Sequence, residues 1–229
     1  MALFAIADLH LSLGTDKPMD DFRGWDGYVQ RIEEQWRAAV KPEDTVVIAG
    51  DVSWAMTLEE TKADFSFIHA LPGQKLILKG NHDYWWTTRR KMERFFEENS
   101  WDTLRFVHND TVVVDGAVAV CGTRGWFFDA ESQADKKVLN REVGRLTASI
   151  QAAKQTGKEP IVFLHYPPIY GDAVCEEIMA VLTEHRIGTC YYGHIHGSGI
   201  ARAFNGEYRG VRFRLISGDA IGFDPIKIL

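Results

Sequence analysis

Thr45-Val46-Val47-Ile48-Ala49-Gly50-Asp51 is an unbroken apolar run that ends in a glycine and a carboxylate. A short run of β-branched residues without polar alternation reads as a buried strand. The pattern recurs along the chain. Leu3 to Ala7 runs into Asp8-Leu9-His10, and Lys75 to Lys79 runs into Gly80-Asn81-His82-Asp83. Ile161 to Leu164 ends at His165, and Thr189 to Tyr192 ends at Gly193-His194-Ile195-His196. Each buried strand thus delivers a His, Asp or Asn at its carboxyl end.

Between these strands lie helical patterns. Residues 28–40 carry Ile32, Trp36 and Val40 at helical spacing. Residues 57–71 open with Thr57 as cap and Glu60 three positions on, and stop at Pro72-Gly73. Residues 84–99, 131–154 and 172–185 are expected to be helical as well. Residues 104–107, 111–114 and 117–121 read as successive strands, and residues 208–217 as a closing strand pair. Strands alternating with crossover helices predict an α/β fold with largely parallel pairing. No repeat, low-complexity run or Pro/Gly-rich linker divides the chain, so a single domain over 1–229 is expected. In open α/β sheets, ligands bind beyond the carboxyl ends of the strands. All five polar segments occupy that position, an independent reason to expect them to converge.

Composition narrows the classes further. At 229 residues, a chain buries roughly 70–75% of its unfolded surface and needs no staples. A net charge of −6 argues against stable nucleic-acid binding and against docking to anionic membranes. It leaves a phosphate substrate open, because bound divalent cations invert the local field. Cys121, Cys175 and Cys190 are widely spaced and odd in number, which favours reduced thiols and a cytoplasmic location. No apolar run approaches the ~18–20 residues of a membrane span.

Asp8 and His10 are two apart, as are His194 and His196. In extended backbone such pairs point to one side and reach a common site. His, Asp and Asn without Cys make a site for two hard-to-borderline divalent cations. Four imidazoles with oxygen donors favour Mn, Fe, Zn or Co over Mg or Ca.

Taken together, Asp8-x-His10, Gly50-Asp51, Gly80-Asn81-His82-Asp83, His165 and Gly193-His194-x-His196 resemble the signature of the calcineurin-like metallophosphoesterases, of the small bacterial phosphohydrolase type. Order and rough spacing match over nearly the whole chain. The resemblance implies a two-sheet β-sandwich flanked by helices, in four layers α/β/β/α. It implies two divalent metals: one held by Asp8, His10 and His196, the other by Asn81, His165 and His194, with Asp51 bridging. It further implies hydrolysis of a small phosphomonoester or phosphodiester, a nucleotide among the candidates, by a metal-bridging hydroxide. His82 and Asp51 are the expected catalytic residues, and Asn81, His82 and Arg124 the expected substrate contacts. Asp83 is expected to cap the following helix rather than to orient His82.

Other readings bear on the same residues. After Gly50-Asp51 the chain reads Val52-Ser53-Trp54-Ala55, without the Gly-Asp-x-x-Asp-Arg-Gly extension of the protein Ser/Thr phosphatases, which argues against that branch. The alternative function is a silent scaffold of the same fold that binds protein partners, but all ligand positions and His82 are in place. His69, His108 and His185 read as packed residues. Trp54, Tyr84, Trp85, Trp86 and Trp126 are either core or an aromatic wall, with core favoured. Arg124 offers a fork suited to phosphate oxygens, or is held by a carboxylate. Gly50, Gly80 and Gly193 read as strand-end turns.

Overall fold

The computed structural model describes residues 1–126 and 133–229. Strand β2, Thr45–Ala49, explains the architecture. It is buried along its whole length, and its alternate side chains enter different cores: Val46 and Ile48 one, Val47 and Ala49 another. An apolar run without polar alternation is what a strand with helices on one face and a second sheet on the other requires.

The first sheet runs β13-β1-β2-β3-β4. Strands β1 (Leu3–Ile6), β2, β3 (Gln74–Leu78) and β4 (Leu104–Phe106) are parallel, and β13 (Ile226–Lys227) closes the edge antiparallel to β1. The second sheet runs β11-β12-β10-β7-β6-β5. Its four central strands are parallel: β12 (Val211–Leu215), β10 (Thr189–Tyr192), β7 (Glu159–Leu164) and β6 (Val118–Thr123). Strands β11 (Gly206–Tyr208) and β5 (Thr111–Val114) pair antiparallel at its edges.

Three cores define four layers. Leu3, Ala5, Val47 and Leu76 of the first sheet pack with Val118, Val120, Ile161 and Phe163 of the second. The outer face of the first sheet packs on α1 (Tyr28–Ala39), α2 (Lys62–Ala70) and α3 (Arg89–Glu98) through Ile32, Trp36, Phe65, Ile68, Met92 and Phe96. The outer face of the second packs on α4 (Gln133–Gln155) and α5 (Glu176–Glu184). This is the expected two-sheet sandwich with helices outside. Among the described residues, no helix is long and apolar enough to cross a membrane.

Three local expectations are corrected. The helix expected from Tyr84 begins at Arg89, after Thr88. Trp85 packs edge-on against Phe65 at 5.1 Å and is buried, so tertiary packing holds that stretch out of helical geometry. The helix expected from Asp172 begins at Glu176, because residues 169–174 form a hairpin of β8 (Ile169–Tyr170) and β9 (Ala173–Val174). The three successive strands expected after residue 104 are present: β4 ends the first sheet, and the chain crosses to the second at β5. The capping box forms, since Glu60 N donates to Thr57 Oγ1 and Thr57 N donates to Glu60 Oε2, but the turn it starts is a 3-10 turn, Glu59–Thr61, before α2. For the helix expected over 131–154, the first two residues lie outside the described ones.

Candidate metal centre

The carboxyl ends of β1, β2 and β3 face those of β7 and β10, and the five polar segments leave from these ends. Four of the polar residues that leave them have left-handed backbone: Asp8 (φ 60°), His10 (φ 43°), Asp51 (φ 51°) and His194 (φ 73°). Non-glycine residues adopt this region at a cost, and they persist there where the surroundings over-determine them. Here the strain turns each side chain out of its strand direction and into one site.

The glycines act mainly by leaving space. A Cβ on Gly80 would lie 2.1 Å from Asp51 Oδ1, and one on Gly193 would lie 2.5 Å from Asp8 Oδ2. Neither position has positive φ, so close approach rather than turn geometry requires glycine there. Gly50 (φ 92°) is the turn that was expected.

The side chains gather in two clusters, Asp8-His10-His196 and Asp51-His165-His194, each offering ligand atoms within 4.8 Å of one another. In the first, His196 Nε2 is 3.4 Å from Asp8 Oδ1 and 3.3 Å from His10 Nε2. In the second, His165 Nε2 is 2.6 Å from Asn81 Oδ1. Asp51 lies between them. Its Oδ2 is 3.7 Å from His10 Nε2 on one side and 3.4 Å from His165 Nε2 on the other. Its Oδ1 accepts the His82 backbone N–H at 2.7 Å.

These residues fit cations. His165 Nδ1 donates to Ala49 O at 3.2 Å, which leaves a lone pair on Nε2, facing the Asn81 oxygen. His165 is buried and Asn81 half-buried, and a cation facing both lone pairs would satisfy them. Asp8 Oδ1 is buried with no hydrogen-bond partner among the described residues. Burial lowers His10, His165 and His194, the last to about 3, so their imidazoles are neutral lone-pair donors. His196 differs: burial would lower it, but Asp8 and Asp219 outweigh burial and raise it to about 10. Asp8 itself is lowered, the histidines overcoming its burial, whereas burial and the Asp8 charge push Asp51 up to about 8. The carboxylates draw positive charge to this spot.

Three surrounding residues escape a reading of sequence alone. Asp219 Oδ1 accepts from His196 Nδ1 at 2.9 Å, the carboxylate-histidine arrangement that orients a metal ligand. Trp25 sets its edge against His10 and His196, each at 5.6 Å. Asp83 is not a helix cap. Its carboxylate accepts the backbone N–H groups of Asp51, Val52 and Gly80 and the Trp85 indole N–H, tying the β2 and β3 loops together. Asp219 follows β12 in a Gly218-Asp219 pair, but Arg212 and Arg214 break the apolar run that marks the other five endings, and nothing in the spacing of Asp83 distinguishes a cap from a loop tie.

His82 is half-buried beside the clusters, its ring 4.4 Å from Trp54 and 5.8 Å from His10. Trp54 also stacks on His10 at 4.9 Å, so this tryptophan does line the site, while Trp85 is core. Tyr84 is exposed, its hydroxyl 3.5 Å from His82 Nδ1. Arg124 turns its guanidinium toward Glu142 (3.7 Å) and over the Trp126 ring (4.9 Å). Glu142 thus lies at ion-pair rather than hydrogen-bond distance from Arg124.

The Calcineurin-like phosphoesterase family matches residues 1–198. The chain belongs to that family. It is therefore a metal-dependent phosphohydrolase. Solved structures share its fold. The phosphopantetheinyl hydrolase PptH from Mycobacterium tuberculosis aligns at 15% identity and a TM-score of 0.56, over 94% of this chain and 88% of that one. AQ665, a protein of unknown function from Aquifex aeolicus, aligns at 15% identity and 0.53, over 99% and 95%. TT1561 of Thermus thermophilus aligns at 15% identity and 0.51, over 85% and 81%. No curated protein matches the sequence.

Proposed function

We propose that this phosphoesterase hydrolyses a small phosphomonoester or phosphodiester with two divalent cations, Mn, Fe or Zn. In this reading Asp8, His10 and His196 hold one cation, Asn81, His165 and His194 hold the other, and Asp51 is shared. The position of Asp51 Oδ2 between both clusters carries the proposal, since it is 3.7 Å from one imidazole nitrogen and 3.4 Å from the other. When bound, such a pair supplies Lewis acidity toward phosphoryl oxygens and a water acidified enough to attack them.

The chain's own residues do the rest. Asp51, with Oδ1 held by the His82 backbone, keeps the two clusters in register. His82 faces the open side and donates an N–H to the leaving oxygen. Burial, first among its influences, lowers its pKa, so the neutral imidazole stabilises charge on the leaving oxygen through that hydrogen bond. Trp54 packs against both His10 and His82 and restricts their rings. A hydrolase among the fold neighbours supports the ester class, and at 15% identity it does not define the substrate. Three buried, unpaired thiols support a reducing compartment, in keeping with the cytoplasm. Strands β12 and β13, beyond the matched residues, join both sheets, which supports reading 1–229 as one domain.

The test is manganese-dependent release of p-nitrophenol from p-nitrophenyl phosphate and from its bis-ester, with bound metal counted in the same sample. Two metals per chain and turnover of either ester are expected. One metal, or none, with the protein folded would overturn the shared-carboxylate reading.

A further inference from the structure

Beside the clusters lies a cavity of about 170 Å³ between the end of β3, the end of β6 and α4. Among the described residues, Lys79, Arg124, Arg141 and Arg145 line it, with His108 and a single carboxylate, Glu142. Four cations around one acid is unexpected in a chain of net charge −6. Glu142 is already engaged: it accepts from Thr123 Oγ1 at 2.7 Å and Arg145 at 2.5 Å, and lies 3.7 Å from Arg124. Arg124 Nε is buried without a hydrogen-bond partner among the described residues, while the Trp126 ring holds the guanidinium in place. The cations act on one another: burial and then Arg124 lower the Lys79 ammonium, and burial and then Arg145 lower the His108 imidazole. Like charges gathered in a concave site, with one acid among its described residues, match an oxyanion.

The cavity adjoins the metal clusters through the backbone. Lys79 precedes Gly80-Asn81 directly, so its Cα lies within about 7.6 Å of that of Asn81. Arg124 O accepts the His165 N–H at 3.1 Å. Its volume is small against the roughly 300–1,000 Å³ of drug-sized pockets, which suits a single charged group rather than a whole ligand.

We propose that this cavity binds a second phosphate group of the substrate, so that the enzyme prefers phosphoesters carrying two phosphates. The proposal rests on the phosphoesterase reading above, and it reassigns Arg124 from the reacting phosphate to the distal one. The first arm of the test titrates inorganic pyrophosphate into chelator-treated full-length protein at low salt. Saturable binding is expected, weakened at least roughly tenfold in the Arg141→Gln/Arg145→Gln double variant, with its melting temperature checked against wild type. Absent binding, or binding lost in His194→Ala and retained in the double variant, overturns the proposal. The second arm compares a series of alkanediol bisphosphates with matching alkyl monophosphates on manganese-loaded enzyme. The double variant should lose at least roughly tenfold more kcat/KM toward the bisphosphates. An equal loss on both series overturns the assignment to substrate and leaves an independent anion site. If no ester turns over at all while pyrophosphate binds as expected, it is the phosphoesterase reading that fails.

Discussion

The two clusters are built from similar side chains and held in opposite ways. His165 is buried, and a backbone carbonyl, Ala49 O, fixes its ring. His196 is 28% exposed, and a carboxylate, Asp219, fixes its ring. A carbonyl aligns an imidazole without adding charge, whereas a carboxylate also makes it more basic. The His165 ring is therefore set by a strand of the facing sheet, β2. The other depends on a residue beyond 198, outside the part of the chain that the family matches. Equivalent ligands need not be equivalently robust.

The largest effect should come from the residue the clusters share. Asp51→Asn leaves two sets of imidazoles without their common anion. Turnover should fall by at least roughly 10³-fold, the equivalent of several kcal/mol of metal assistance. Metal analysis should show fewer than two ions per chain; two ions retained would mean that the clusters do not need a shared carboxylate. His82→Ala tests the open side instead. It should keep both metals and lose about 10²–10³-fold in kcat, the range for one hydrogen-bond donor aimed at developing charge. Full activity would remove His82 from the mechanism.

Asp219→Asn separates the clusters. Affinity for one metal should drop roughly 10–100-fold, as for other supporting residues of metal sites, while the other is retained. Manganese titration by calorimetry should resolve into a weakened step and an unchanged one. Two steps weakened equally would erase the distinction.

The smallest effect serves as a control far from both clusters. Lys75 is fully buried, its ammonium donating to the carbonyls of Leu71 and His69. Burial lowers its pKa from 10.5 to about 8. A folded-state pKa below the unfolded value means that the unfolded chain binds more protons between those limits. Stability should therefore rise with pH from about 8 to 10.5, and the burial cost, on the order of 3 kcal/mol, is fully present below that window. Lys75→Met should flatten the rise in urea midpoints over this range and leave metal binding unchanged. A rise as steep as wild type would assign it to other groups.

The strand endings were legible because burial on both faces needs unbroken apolar runs, and a polar residue directly after one has little place except at the sheet edge. That reasoning located Asp8, His10, Asp51, Asn81, His165, His194 and His196 before any geometry. It failed where packing competes with local pattern. Residues 84–88 have helical composition but are held by Trp85 in the core and by the Asp83 carboxylate. Residues 172–174 carry an acid suited to a helix start, yet they belong to a hairpin whose turn is Gly171-Asp172. The aromatic residues divided for the same reason. Trp54 and Trp85 look alike in sequence, and only their neighbours decide that one lines the site and the other fills the core.

Local order along the chain determined the strands, the ligand types and the side of the sheets on which they emerge, because periodicity and burial are properties of short segments. The tertiary structure alone decided that Asp219 supports one of the clusters, that Asp83 ties two loops together, and that cations from β3, β6 and α4 share a cavity. These are meetings of residues far apart in sequence. Only the packing of the two sheets face to face, with their carboxyl ends on one side, brings them within a few ångströms.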